Sequence, residues 1–266
     1  MRYSFMSFSV PGMALKEVLA AAGRYGYAGF EPRIGSGHAH GIETGASPKA
    51  LKEARSLAQD AGVSICCLAT GCVLADPGRK AEQLEQGKRA VELAGALGCP
   101  AIRVFGGLIS GGVSRERAFE TLISSAAELQ NFAKGAGVAV CIETHDDWCD
   151  PAAASKAARE SGAFVNWDIM HSFLEGKSPP ERAFELLGPY IRHVHIHDGY
   201  YDKSTGKLVF TSIGDGEIDH ALPLRLLKEN GYAGFVSGEW MGWDPGEVHL
   251  PRELALLKAA EERSGT

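Results

Sequence analysis

Short runs of β-branched, aromatic and other apolar residues alternate along this chain with longer stretches in which apolar residues recur every three or four positions. The short runs lie at residues 3–5, 29–31, 63–66, 101–105, 138–143, 164–168, 191–197 and 235–239. The longer amphipathic stretches include residues 15–22, 81–97, 115–134, 152–160 and 222–229. Strands that alternate with helices of this length predict parallel β/α units, because a hairpin would not leave room for the crossover helix. Eight such units within 266 residues suit a single α/β domain, a (β/α)8 TIM barrel spanning residues 1–266, a fold that commonly occupies about 250 residues. A doubly wound open sheet is the competing architecture.

One turn is repeated. Gly26-Tyr27-Ala28-Gly29-Phe30 recurs as Gly231-Tyr232-Ala233-Gly234-Phe235, each time between a helical stretch and a strand that carries an acid, Glu31 or Glu239. Glycine at that point suits the left-handed residue that ends a helix. Leu97-Gly98-Cys99-Pro100 and Gly135-Ala136-Gly137-Val138 make similar turns before the fourth and fifth strands.

The two-residue period of a strand then sorts the side chains. Ala139, Cys141 and Glu143 share one face, as do Phe164, Asn166 and Asp168, then His193, His195 and His197, then Phe235, Ser237 and Glu239, while Val140, Ile142, Val194 and Ile196 point the other way. Glu143, Asp168, His195 and Glu239 are thereby predicted to point inward, late in their strands, at the end where barrel active sites are built. Three carboxylates buried in one mouth call for a cation. Hard oxygen donors with one imidazole suit a single divalent metal ion, Mn2+ or Mg2+ first, then Co2+ or Zn2+. Among the three histidines, His195 matches the depth of Asp168 and Glu239, whereas His193 lies deeper and His197 higher, towards a substrate.

Composition narrows the field. Apolar residues make up 45% of the chain, ample for a large core, and the formal charge of −6 argues against a nucleic-acid partner. No segment is long and apolar enough to span a bilayer, and residues 1–5 lack the organisation of a signal peptide. The six cysteines include no Cys-x-x-Cys pair, so they read as buried apolar fillers of a reduced, cytoplasmic protein.

Lesser features concern the mouth. Arg103 is inward by parity, either to anchor a carboxylate or phosphate of a substrate or to neutralise Glu31 or Glu143. The glycines at 106–107 and 111–112 make a flexible loop, a weak phosphate signal. Trp148 and Trp240 follow ligand-bearing strand ends, either to stack on the C–H face of a substrate or to cover the rim; His38 and His40 read as solvated; residues 198–219 form either a lid or an ordinary surface excursion.

Ile142-Glu143-Thr144-His145, Asn166-Trp167-Asp168-Ile169-Met170-His171, His193-Val194-His195-Ile196-His197-Asp198 and Gly214-Asp215-Gly216-Glu217-Ile218-Asp219, followed by Gly231-Tyr232-Ala233-Gly234 and Glu239, resemble the xylose isomerase-like TIM barrel family of sugar isomerases and epimerases, including ketose 3-epimerases. The resemblance runs along nearly the whole chain and is strongest from residue 138 onward. It implies one divalent cation held by Glu143, Asp168, His195 and Glu239, with the two glutamates also acting as the catalytic proton-transfer pair. It implies that His171 binds substrate oxygens, with Arg103 and His197 as further substrate-binding candidates. The implied activity is isomerisation or epimerisation of a small sugar or keto-polyol, by proton abstraction next to a metal-bound carbonyl and through an enediolate. Barrels of this family are often homodimers or homotetramers.

The same resemblance brings competitors. A metal-dependent dehydratase of the inosose or dehydroshikimate type begins with the same proton abstraction, with His171, His145 and His197 available as acids. Hydroxypyruvate isomerase-like activity is a close variant. A non-catalytic sugar-binding barrel is disfavoured because both glutamates are present. AP endonucleases take further histidines from the third and fourth strands, whose ends here read Leu68-Ala69-Thr70-Gly71 and Phe105-Gly106-Gly107.

Overall fold

A computed structural model describes residues 1–109 and 111–263 of the chain; residues 264–266 of the expected domain lie outside the described residues. Strands β1 (Arg2–Met6), β2 (Gly29–Glu31), β3 (Ser64–Ile65), β4 (Leu68–Val73), β5 (Ala101–Phe105), β6 (Ala139–Glu143), β7 (Phe164–Asp168) and β8 (Ile191–Ile196) are followed by a hairpin, β9 (Asp198–Tyr201) and β10 (Leu208–Thr211), and by β11 (Phe235–Gly238). The helices are α1 (Leu15–Tyr25), α2 (Pro48–Ala61), α3 (Lys80–Leu97), α4 (Arg115–Lys134), α5 (Pro151–Ser161), α6 (Ile169–Leu174), α7 (Pro180–Leu187), α8 (Ala221–Glu229) and α9 (Gly246–Arg263). Among the described residues no helix is long and apolar enough to cross a membrane.

All strands but the hairpin join one parallel sheet in the order β3-β2-β1-β11-β8-β7-β6-β5-β4. β3 and β4 are two pieces of one barrel strand, parted only by Cys66 and Cys67. The first piece pairs with β2 and the second with β5. The closure is carried further by a bridge between Arg33 and Ala69, with Ala69 N donating to the Pro32 carbonyl and Ile34 N to the Ala69 carbonyl. This is the (β/α)8 TIM barrel that the alternating pattern predicts.

The two faces of the sheet are chemically distinct. Val140, Ile142, Val165, Trp167, Val194, Ile196 and Val236 pack outward with the helices into the main apolar core. The floor of the interior is a separate small cluster of Cys67, Ala101 and Cys141, with Ala139 and Phe164 against it. Small residues there fit the tapered end of a narrow barrel. All six cysteines are free, and only Cys149 is not buried.

The repeated glycine turn works as expected. Gly26 and Gly231 adopt φ of 91° and 68°. Tyr27 N and Tyr232 N each reach back to a helix carbonyl, of Ala22 and Leu227, at 2.9 Å. Four elements are less legible in the sequence. α2 buries only Ala54 and Ala58, so its apolar stripe is thin, although Ser47 caps it by accepting from Ala50 N and proline opens it. α6 and α7 are short, and α9 carries an internal proline, Pro251.

At the top of β11 the backbone is tightly packed: a Cβ on Gly238 would lie 2.0 Å from the ring of Trp240, which is itself 2% exposed. Because both the ring and the strand are confined, Gly238→Ala is expected to lower stability by about 1–3 kcal/mol, measured by urea denaturation; an unchanged midpoint would show that the ring can move aside.

Candidate metal centre

Strand register brings the inward residues to one point. Asp168 and Ser237 both lie directly beside His195, and Glu143 lies beside Asn166. Glu239 follows β11, its backbone N–H donating to the Ile196 carbonyl at 3.2 Å. One ligand atom from each of Glu143, Asp168, His195 and Glu239 falls within 4.8 Å of every other. Three of the four are at most 1% exposed, and Glu239, the outermost, is 8% exposed. These four residues could hold a metal ion.

The imidazole of His195 is the hub. Its Nε2 lies 3.0 Å from Glu31 Oε1, and the other oxygen of Glu31 lies 2.7 Å from His193 Nε2. On the opposite side, His195 Nδ1 is 2.5 Å from Glu143 Oε1 and 3.0 Å from Glu239 Oε2. Despite that proximity Nδ1 makes no hydrogen bond, because the carboxylate oxygens lie outside donor geometry. With Nε2–H directed to Glu31, Nδ1 turns its lone pair towards the carboxylates, the arrangement by which an outer carboxylate orients a ligating histidine. Burial pushes the His195 pKa down, but Glu31, Glu143 and Glu239 together hold it well above the ordinary value.

The neighbours hold the acids in place. Asn166 Nδ2 donates to Glu143 Oε1 at 2.9 Å, and Arg103 Nε lies 3.4 Å from Glu143 Oε2. Arg103 is 1% exposed and its Nη1 donates to the Thr70 carbonyl at 2.8 Å, so of its two readings the structure places it against Glu143. Thr144 Oγ1 accepts from Asp168 N and donates to the Asp168 carbonyl, lacing the ends of β6 and β7 together. Asp168 also caps α6, Oδ1 accepting from His171 N at 2.8 Å while Oδ2 lies 2.9 Å from His197 Nε2. His197, 1% exposed, thus sits on Asp168. Burial raises the Asp168 pKa, but His197 and His171 outweigh it and keep the group well below the carboxylate range.

His171 is the polar residue at the outer edge. Its Nδ1 is 3.1 Å from Glu175 Oε1, its ring packs 4.2 Å from that of His145, and Asp168 and Glu175 overcome burial to raise its pKa to about 9. Glu31, Asn166 and Thr144 belong to the site without having been singled out as its residues. The available signal was parity alone: Glu31 ends its strand two residues after Gly29, just as Glu143 ends its own.

Some expectations about the rim are corrected. Trp148 and Trp240 are fully or almost fully buried, so neither offers a face to a sugar. Trp148 stacks on Phe119 and donates from Nε1 to the Gly107 carbonyl at 2.8 Å, which makes the 106–107 glycines a seat for its ring. His40 is not solvated: it is 5% exposed, and its Nδ1 accepts from Ile42 N at 3.0 Å.

The sequence profile of a family described as Xylose isomerase-like TIM barrel matches residues 19–260 of the chain. No curated protein matches it. Among solved structures it is similar to the probable 3-DHS dehydratase AsbF of Bacillus anthracis, at 18% identity and a TM-score of 0.80 over 97% of this chain and 99% of that one. It is similar to a D-psicose 3-epimerase from Clostridium cellulolyticum H10, solved with D-tagatose, at 17% identity and a TM-score of 0.76 over 100% and 98% of the two chains. A barrel from Mycobacterium smegmatis in complex with magnesium matches at 16% identity and a TM-score of 0.74 over 99% and 97%. At these identities the likeness is one of fold.

Residues 198–219, beyond the cluster, contain the β9–β10 hairpin, and Asp198 is its anchor. Asp198 Oδ1 accepts from Gly199 N, Oδ2 from Gly214 N and Gly216 N, and His220 Nε2 lies 3.3 Å from Oδ2. Gly216 has no room for a side chain, since a Cβ would come 2.1 Å from Asp198 Oδ1. Burial raises the Asp198 pKa, but His220 and the glycine amides hold it below the ordinary value. A depressed carboxyl contributes stability that is complete above its unfolded value, about 4, and is lost as the pH falls through its folded one. Hydrogen exchange at Gly214 and Gly216 is therefore expected to quicken about tenfold to a hundredfold in Asp198→Asn near neutral pH. The wild type should approach that behaviour only in acid; equal exchange in the two proteins at neutral pH would show that the hairpin is held by other contacts.

Proposed function

Because the chain belongs to the xylose isomerase-like TIM barrel family, we propose that it is a divalent-metal-dependent isomerase or epimerase of a small sugar or keto-polyol, moving a proton at the carbon beside a carbonyl. The observation that carries this reading is the unpartnered Nδ1 of His195 facing the carboxylates of Glu143 and Glu239. Glu143, Asp168, His195 and Glu239 would hold the ion, and their oxygen-rich set favours Mn2+ or Mg2+. When bound, the ion supplies Lewis acidity towards a carbonyl and an adjacent hydroxyl.

The chain's own residues then divide the proton chemistry. β6 and β11 flank β7 and β8 on opposite sides, so Glu143 and Glu239 reach the mouth from two directions. Glu143 is clamped by Asn166 and Arg103, whereas among the described residues the Glu239 carboxylate is in direct contact with His195 alone and is the more exposed of the two. Glu239 is suited to take a proton from substrate, and Glu143, steadied by the Asn166 amide and the Arg103 ion pair, to return one from the other face. His171, whose pKa Asp168 and Glu175 raise, is placed at the outer edge of the cluster to meet a substrate oxygen. The free cysteines fit a reduced, cytoplasmic setting.

Similarity to AsbF favours a dehydratase as the second reading. It uses the same abstraction, with His171 protonating a departing β-hydroxyl. The two are separated by the product: an epimer or isomer carrying solvent deuterium in one case, loss of water to an unsaturated ketone in the other.

Manganese-loaded protein in D2O is expected to place deuterium next to the carbonyl of at least one ketose or keto-polyol in a panel, with Glu143→Gln or Glu239→Gln slowing this by about 10²–10⁴-fold. Glu31→Gln, which removes the negative charge and one of the two acceptor oxygens shared by His193 and His195, is expected to weaken manganese binding by about 10–100-fold. Absence of exchange with every substrate in the loaded protein would refute the isomerase reading.

A further inference from the structure

Arg103 is occupied, but a second arginine in the mouth is not. Arg33 follows Glu31 by two residues, and its guanidinium lies over Gly71, where a Cβ would come 3.0 Å from Nη2. Gly71 is exposed, so this part of the mouth is open. Arg33 Nη1 donates to the Ile34 carbonyl and, at 3.4 Å, to the Ala69 carbonyl. Among the described residues Nε and Nη2 meet no acceptor, and Arg33 is in no ion pair. Burial, and then the nearby Arg103, lower its pKa.

A cavity of about 400 Å3 opens beside it, lined by Arg33, Thr44, Thr70, Gly71, Gln86 and Arg89. Arg89 is exposed and likewise in no ion pair among the described residues. The nearest acid on that side, Glu43, accepts from Gly35 N through Oε2 and pairs with neither arginine. Thr70 joins the cavity to the acid cluster: its hydroxyl donates to the Arg103 carbonyl at 2.8 Å, and its own carbonyl accepts from Arg103 Nη1. Glu43 and Glu239 act on Arg33 through space, but among the described residues neither guanidinium has a carboxylate in direct contact, whereas an oxyanion in the cavity would pair with both in fork geometry.

We propose that this cavity is an oxyanion subsite, so that the substrate carries a carboxylate or phosphate bound by Arg33 and Arg89 while its carbonyl end meets the acid cluster. The substrate class is thereby an acidic one, a phosphorylated sugar or a keto acid. This rests on the reading of the cluster given above, and one arm of the test is independent of it.

In the first arm, inorganic phosphate is titrated by calorimetry into chelator-treated protein, which needs no activity. Saturable binding is expected, weakened about tenfold or more in Arg33→Gln and in Arg89→Gln and partly restored in Arg33→Lys. In the second arm, deuterium exchange by manganese-loaded protein is compared across neutral ketoses, their phosphate esters and keto or hydroxy carboxylates. Anionic substrates are expected to react best, with the variants raising KM and sparing kcat; the anion that responds identifies the source. Phosphate binding that depends on Arg33, with no exchange by any substrate, would refute the isomerase reading and leave the subsite standing. If the variants change neither phosphate affinity nor the KM of any anionic substrate, or if neutral ketoses react as well as anionic ones, the subsite is refuted.

Discussion

Four carboxylates, Glu31, Glu143, Asp168 and Glu239, share the interior of one barrel with the buried guanidinium of Arg103. Burying like charges together is so costly that everything around them has to compensate. The histidines of β8 and its end do much of this. His193 and His195 share Glu31, while His197 takes Asp168. Asn166, Thr144 and the first turn of α6 use the remaining polar groups to fix where each oxygen points. No stability argument alone would assemble such a group, since apolar residues would fill the same space at lower cost. A cation held among Glu143, Asp168 and Glu239 would neutralise three of these acids.

That constraint also explains which parts of the molecule are legible in the sequence. The eight strands alternate faces with a period of two, so an inward acid at a strand end can be read directly; Glu143, Asp168, His195 and Glu239 are found together because parity leaves them nowhere else to point. The role of Glu31 depends on ring closure, which sets β2 across the barrel from β8 and which no local pattern encodes. The split of one barrel strand into β3 and β4 at Cys66-Cys67 is similarly a matter of pairing partners. Of the two readings of the tryptophans, stacking or covering, the sequence cannot choose, because the choice rests on glycines at 106 and 238 that make room for the rings to be buried. The hairpin over residues 198–219 hid because its strands carry no clean alternation, and an aspartate with three glycine amides holds its base.

Neighbours at 16–18% identity share the barrel and include both an epimerase and a dehydratase. The acid cluster is compatible with either, because the opening proton transfer is common to both. Here Arg103 is drawn down onto Glu143, and Arg33 and Arg89 stand beside a cavity without an ion-pair partner among the described residues. Charge balance at the rim therefore carries information about substrate that the cluster cannot.

The central claim, that the carboxylates surrounding His195 Nδ1 form one divalent-cation site, is tested most directly by crystals grown with manganese and measured at its absorption edge. The account predicts a single strong anomalous peak within bonding distance of Glu143, Asp168, Glu239 and His195 Nδ1, with Nε2 still directed to Glu31. A peak elsewhere, or an interior in which His195 keeps its contacts to the carboxylates and no manganese is present, would contradict it.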